Sequence, residues 1–306
     1  EIGVRLVGSE MCIRDRSDAI LWSWHVWVTD EDINNVIEIT NHQNVKYNFM
    51  PVNLGQCDGN TITYEERSCK VKFIAGDQSK EITIKQLANV IATGSNAPFY
   101  QWGRKDPLYP SNGMGNTTKI WYDKEGIPST ANPMKGTFSA GNDCIKNCIL
   151  NPNLMHNRYN GDYTYYNLWS ADNKTTSAND NPVNKTIYDP CPVGFKLPAS
   201  NAFTGFTTTG ESVSSSTQVN GTWSSSEKGW YFYTNSEKTQ SIFFPALGYR
   251  SYSTMRPGSI GTQGCFWSAH PVAKGNNYYL RTSSVDVQPT YMVDRGFGYA
   301  LRPCQD

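Results

Sequence analysis

The stretch Lys185–Pro198, KTIYDPCPVGFKLP, decides how the chain is read. Cys191 stands between Pro190 and Pro192. Proline fixes its own φ, removes a donor and pushes the residue before it into an extended conformation. The thiol is therefore held rigidly. Such a position suits a structural disulfide better than a nucleophile, which needs a mobile, basic neighbourhood.

Outward from this stretch, composition sets the class. Among 306 residues, Lys+Arg and Asp+Glu are equal at 27 each. No net field draws the chain to nucleic acid or to an anionic membrane. No run approaches the roughly 18 apolar residues of a membrane span, so no span is expected. Aromatics reach 13 %, with 9 Trp and 18 Tyr set among Asn, Ser, Thr and Gly. That mixture predicts short strands joined by long polar loops.

Ile20–Thr29 alternates as a strand covered on both faces, its indoles in the core. Strands are also predicted at 61–64 and 71–74, and Lys80–Ile91 has the spacing of a short amphipathic helix or of a strand running into one. Within Pro98–Pro110, Asp106 is expected to pair with Arg104 or Lys105 in a structural role. Ser111–Ala140 reads as a long surface excursion. Ala199–Phe203 predicts a helical turn. Beyond it, β signals recur at 223–227, 229–233, 241–244, 264–268, 277–281 and 298–302.

Catalytic patterns are missing from the sequence. His25, His42, His156 and His270 are the available bases, and neither GxSxG nor a P-loop occurs. Asp30, Asp32 and Asn34 start a calcium-loop spacing, but Asn35 and Asn41 replace its glycine and closing glutamate. Cys144, Cys148 and His156 form a weak zinc pattern. The expectation is no enzyme, no cofactor and no metal.

Arg5–Arg16, RLVGSEMCIRDR, matches one reading frame of a transposon sequencing adapter residue by residue. Residues 1–16 are therefore expected to be a non-native, disordered segment. The native start then lies upstream, and a signal or lipid anchor is expected in that missing part. Cys12 leaves the count with the segment. Cys57, Cys69, Cys144, Cys148, Cys191, Cys265 and Cys304 remain, an odd number scattered through polar loops, as expected of an oxidising compartment. Cys57 with Cys69 would close a short hairpin-like loop. Cys144 and Cys148 stay open between a local bridge and a bond from one of them to Cys265.

The Lys185–Pro198 stretch resembles a landmark of the Fibrobacter succinogenes major paralogous domain family of bacterial surface proteins. Further landmarks follow in order: Ile20–Asp30, Asn53-Leu54-Gly55, Tyr100–Pro107, Asn151-Pro152, Trp169, Phe244–Arg250 (FPALGYR), Gly261–Ser268 (GTQGCFWS) and Tyr299–Cys304 (YALRPC). The resemblance implies a Cys191–Cys304 disulfide tying the chain end to the central stretch, worth about 4 to 5 kcal/mol in the chain-entropy model. GFKLP, WSSSE, CFWS and YALRPC also look like the C-type lectin-like fold. The expected class is thus a β-rich α+β domain over 17–306, with a twisted antiparallel sheet, long irregular loops and few short helices. Residues 17–184 would form a loop-rich N-terminal part and 185–306 a C-type lectin-like core. The calcium–sugar motifs of that fold are missing, so calcium-dependent sugar binding is not implied.

The resemblance implies a non-enzymatic adhesion domain, secreted or at the outer-membrane surface and associated with fimbriae. Its partner would be a glycan, a host or microbial surface protein, or other fimbrial subunits. Loop residues of the C-terminal half are the expected contacts: Tyr252, Arg256, Asn276, Asn277 and Tyr291. The alternatives are a receptor-binding variable protein of a phage or retroelement, a structural fimbrial subunit, and an enzyme of the sulfatase-modifying type. The last needs a reactive pair at Cys265 and Cys304.

Overall fold

The computed structural model describes residues 9–17, 20–56, 62–91, 97–108, 121–122, 127–129, 136–137, 141–152, 154–156, 168–172, 177–272 and 275–306. It is strand-rich, 42 % strand against 8 % helix, in several small antiparallel sheets, which places the chain in a β-rich α+β class.

The central stretch is held by two charges. Asp189 accepts the backbone N–H groups of Cys191 at 2.8 Å and Leu197 at 3.0 Å. Lys185 Nζ donates to the carbonyls of Cys191, Pro192 and Phe195 at 2.5, 2.8 and 2.6 Å. A proline-rich turn cannot satisfy these groups by a ladder, so side chains do it. Burial raises the Asp189 pKa, while its hydrogen bonds and Lys185 pull the other way. Gly194, at φ +82°, turns the chain into Phe195–Lys196.

That short strand pairs with Cys304–Gln305, which pairs with Lys46–Phe49, which pairs with Ile37–Thr40. A second four-stranded sheet runs Pro257–Gly258, Tyr249–Arg250, Gly298–Tyr299, Tyr100–Gln101. Both sheets mix residues from either side of position 185. Two three-stranded antiparallel sheets complete the C-terminal half. One comprises Gly221–Ser224, Gly229–Tyr233 and Ser241–Pro245, the other Gly264–Pro271, Asn276–Thr282 and Val287–Asp294. The expected helical turn is a 3-10 helix, Ser200–Phe206, which buries Phe203 and Phe206.

One core cluster is aromatic. Phe206 stacks on Phe232 at 3.9 Å, and Phe244 meets Phe49, Phe203, Phe206, Phe232 and Phe266 edge-on. Burying each such ring contributes roughly 2–3 kcal/mol, and edge-to-face geometry adds to that. A second cluster gathers Trp102, Trp169, Tyr100, Trp267, Tyr279 and Tyr299 around Leu197 and Cys191. The buried indole N–H groups of Trp169, Trp230 and Trp267 reach backbone carbonyls at 2.7–3.1 Å.

Arg302 joins the parts. Nε donates to Asn53 Oδ1 at 2.7 Å, Nη1 to the carbonyls of Met50 and Pro51, and Nη2 to the carbonyl of Phe243 at 2.7 Å. Its guanidinium lies 4.4 Å from the Phe244 ring centre. Burial lowers its pKa to about 9.

Several expectations are corrected. Cys191, Cys265 and Cys304 are buried free thiols, so the Cys191–Cys304 disulfide is not formed. The Cys191 thiol bonds to Asp189 instead, and the chain end is already tied by strand pairing and by Lys196–Asp306 at 3.3 Å. Cys69 is an exposed free thiol, so the Cys57–Cys69 link is not made either; Cys57 lies outside the described residues. Lys80–Ile91 contains no helix. Gln78–Gln86 pairs with Arg67–Ala75 and Asn89–Ile91 with Ile62–Tyr64, because β-branched residues and cross-strand pairing outweigh the helical spacing. Ile20–Val26 is a strand, but Leu21 and Trp24 are exposed. The 1–16 segment is not wholly disordered, since Ser9–Arg14 pairs antiparallel with Ile20–Val26. An open strand edge offers main-chain groups that any sequence can pair with. The Ser111–Ala140 excursion lies mostly outside the described residues.

Arg302→Lys removes the planar fork and leaves at least one carbonyl unpaired. We expect a loss of about 3 kcal/mol in urea unfolding. A loss below about 1 kcal/mol would show that the guanidinium is not the joint described above.

Candidate functional site

The site grows from the pairing of Asn276–Thr282 with Val287–Asp294. Tyr279 stands opposite Tyr291, and a register shift between Tyr279 and Arg281 brings Arg281 opposite Gln288. Tyr279 and Tyr291 meet edge-to-face at 5.7 Å. Arg281 lies 5.8 Å from the Tyr291 ring centre and is aimed by Asp286 at 2.8 Å and Gln288 at 3.2 Å. Inward, Tyr279 packs tilted against Tyr299 at 4.6 Å, Tyr299 stacks on Phe297 at 5.8 Å, and Phe297 meets Tyr252 at 4.9 Å and Tyr249 at 5.5 Å edge-to-face. The result is a continuous aromatic band, buried at Tyr279 and Tyr299. It emerges at both ends.

At one end Tyr291 is 45 % exposed. At the other, Tyr252, Tyr249 and Phe297 are half-buried. Gly296 leaves room there: a Cβ on it would sit 3.1 Å from Tyr252 and from Asp294. Burial raises the pKa of Tyr279 and Tyr299, so both hydroxyls stay protonated.

The structure therefore brings Tyr252 and Tyr291 onto one band. Arg256 is exposed on the same turn as Tyr252, and its carbonyl accepts from Ser251 N–H at 2.9 Å. Asn276 is half-buried opposite Asp294. Asn277 is a correction: it is fully buried, with no hydrogen-bond partner for its side-chain amide, and cannot touch a ligand. Neighbouring strand residues point to opposite faces, so Asn276 and Asn277 could not share a surface. Phe297 and Arg281 were not singled out from sequence. Arg281 reaches Tyr291 only through a register shift in the strand pairing, which spacing in the sequence does not show.

A second polar cluster has the parts of a nucleophile and a base. Lys105 Nζ lies 2.7 Å from Ser23 Oγ and 2.7 and 2.8 Å from the two Asp106 oxygens. Ser23 Oγ also donates to Asp106 at 2.7 Å. Ser23 is 2 % exposed and the Lys105 side chain 8 %. The Lys105 ammonium is thus engaged by the Asp106 carboxylate, and the serine beside it is buried. Of the two cations expected as partners of Asp106, it is Lys105 that pairs with it. Beside it, Tyr100 OH and His25 Nδ1 are 3.2 Å apart.

Burial pushes the Cys265 and Cys304 thiols up to about 12. Burial thus disfavours the thiolate at both positions. Among the described residues no group of three metal-ligating side chains converges; the Cys144 side chain lies outside them. No family model matches the chain, and no similar curated protein or solved structure is found.

Burial lowers the His25 pKa to about 4, with Asp106 pulling the other way. It lowers that of His156 to about 3, with Arg104 adding to the shift. Between the unfolded value near 6.5 and these folded values, the unfolded chain binds protons that the fold does not. Stability is therefore full above pH 6.5 and falls as pH drops toward 4, by about 3 kcal/mol from His25 alone. Denaturant titrations at pH 7.5, 5.5 and 4.5 check this. His25→Gln should flatten the slope if the variant folds, and a flat wild-type profile would rule the effect out.

Proposed function

We propose that the chain is a non-enzymatic binding domain of a secreted or cell-surface protein, of the adhesin kind, which holds a glycan or protein ligand on the exposed ends of the aromatic band. One observation carries this reading: the band runs through the core yet opens at Tyr291, beside an arginine already fixed in direction. Rigid rings backed by buried rings lose little entropy on binding, and Tyr and Arg are enriched at binding surfaces.

The C-type lectin-like reading is supported by three features. Short antiparallel sheets carry the C-terminal half, few helices accompany them, and the last strand pairs with an early one, Cys304–Gln305 with Lys46–Phe49. The surface location and the fimbrial association rest on the sequence landmarks. The thiols bear on neither, since burial shields Cys191, Cys265 and Cys304 in any redox environment.

The test is an array of glycans, mucins and surface proteins probed with the whole chain, with and without chelator. Saturable binding that survives chelator is expected. Tyr291→Ala should weaken it about tenfold or more while the Tm moves little. Tyr252→Ala should lower the Tm as well, because that ring also packs on Phe297 and the Met255 cluster. Binding that is unchanged in Tyr291→Ala would move the site elsewhere, and no binding from folded protein would favour a structural subunit.

A further inference from the structure

A separate surface carries chemistry of its own. In the sheet of Gly221–Ser224, Gly229–Tyr233 and Ser241–Pro245, the inward positions Trp230, Phe232, Ile242 and Phe244 fill the core. The outward face holds Tyr231, Tyr233 and Phe243, all half-buried. Gly229 is why Phe243 lies flat: a Cβ at that glycine would come within 2.6 Å of two carbons of the ring. The Phe243 ring thus rests on bare backbone, with Tyr231 beside it at 4.7 Å and tilted by 36°. The polar rim is fixed as well. Tyr231 OH donates to Glu227 Oε1 at 2.7 Å, Ser224 Oγ meets Glu227 Oε2 at 3.0 Å, and Tyr233 OH is 2.7 Å from Thr222 Oγ1.

We propose that this face binds a neutral pyranose chain of the all-equatorial, gluco-configured type. Such a ring shows a flat face of axial C–H bonds, which stacks on the Phe243–Tyr231 floor, and a rim of equatorial hydroxyls that donate. The Glu227 carboxylate is the acceptor at the rim. Each of its oxygens uses one lone pair on Tyr231 or Ser224 and keeps another for a sugar hydroxyl. The same carboxylate disfavours anionic sugars. The outward positions carry no Leu, Ile, Val or Met, so a protein partner's aliphatic anchors find no pocket here. Rings with fixed hydroxyls are pre-organised, and the sugar orders nothing further on arrival.

The site is distinct from the Tyr291 surface, so the two can fail separately. Calorimetric titration of the whole chain with cellohexaose and laminarihexaose, and with polygalacturonate as the anionic comparison, is the experiment. Saturable binding of a neutral hexasaccharide is expected, weakened about tenfold or more in Phe243→Ala, Tyr231→Ala and Glu227→Gln and unchanged in Tyr291→Ala. If Phe243→Ala does not fold, the other two variants decide, since Tyr231 and Glu227 lie at the surface. No saturable binding of either neutral hexasaccharide at millimolar concentration overturns the proposal. So does binding that survives Tyr231→Ala and Glu227→Gln, and so does a preference for polygalacturonate.

Discussion

A buried guanidinium that, among the described residues, donates to carbonyl and amide oxygens rather than to a carboxylate is the constraint on which the other parts depend. Arg302 draws together the 50–53 turn, the Ser241–Pro245 strand and the chain end. Dehydrating that charge is costly, and the lowered pKa reflects it. The cost is offset only if all these oxygens arrive together. The interaction therefore specifies one arrangement of three distant segments, where apolar packing alone would tolerate several. Lys185 and Asp189 do the same for the proline turn, one capping carbonyls and the other capping N–H groups. These groups stabilise irregular backbone that no ladder satisfies, as a fold with many short strands requires.

The aromatics divide by backing. Phe206, Phe232 and Phe244 pack against one another inside the core and contribute to stability. Tyr291 and Phe243 have rings or backbone beneath them and solvent above. A ring fixed from below and open above offers area to a ligand without first being ordered. Both candidate surfaces are therefore by-products of how the core is closed. One lies where a register shift interrupts the Asn276–Thr282 and Val287–Asp294 pairing, the other where a glycine lets a phenylalanine lie flat.

The β-rich class was legible because alternation and turn residues are local signals, and most short strands after position 220 lie where those signals put them. The importance of Lys185–Pro198 was legible too, but not its reason. Two prolines around Cys191 drew attention to the thiol, whereas the charges that hold the turn are Asp189 and Lys185. Arg302 appeared as one letter of a terminal motif, and a motif does not show that its oxygens come from residues 50–53 and 243. Asn277 was misplaced because strand alternation, applied to adjacent asparagines, says that one is hidden without saying which. Phe243 was passed over because its flatness depends on Gly229 in the next strand, a pairing known only once register is fixed.

The free thiols follow from the same physics. A disulfide contributes most where a chain end would otherwise be loose in a small core. Here Cys304 lies in a strand paired on both sides, with Phe195–Lys196 and with Lys46–Phe49, and Arg302 anchors the residues just before it. Cys191 already spends its hydrogen on Asp189. Oxidising the pair would remove that bond and leave a buried carboxylate with one donor fewer, at a place where burial already disfavours its charge. In this fold the proline-framed cysteine acts as a small buried hydrogen-bond donor, and ion-assisted backbone capping does the work that the sequence had assigned to a covalent link.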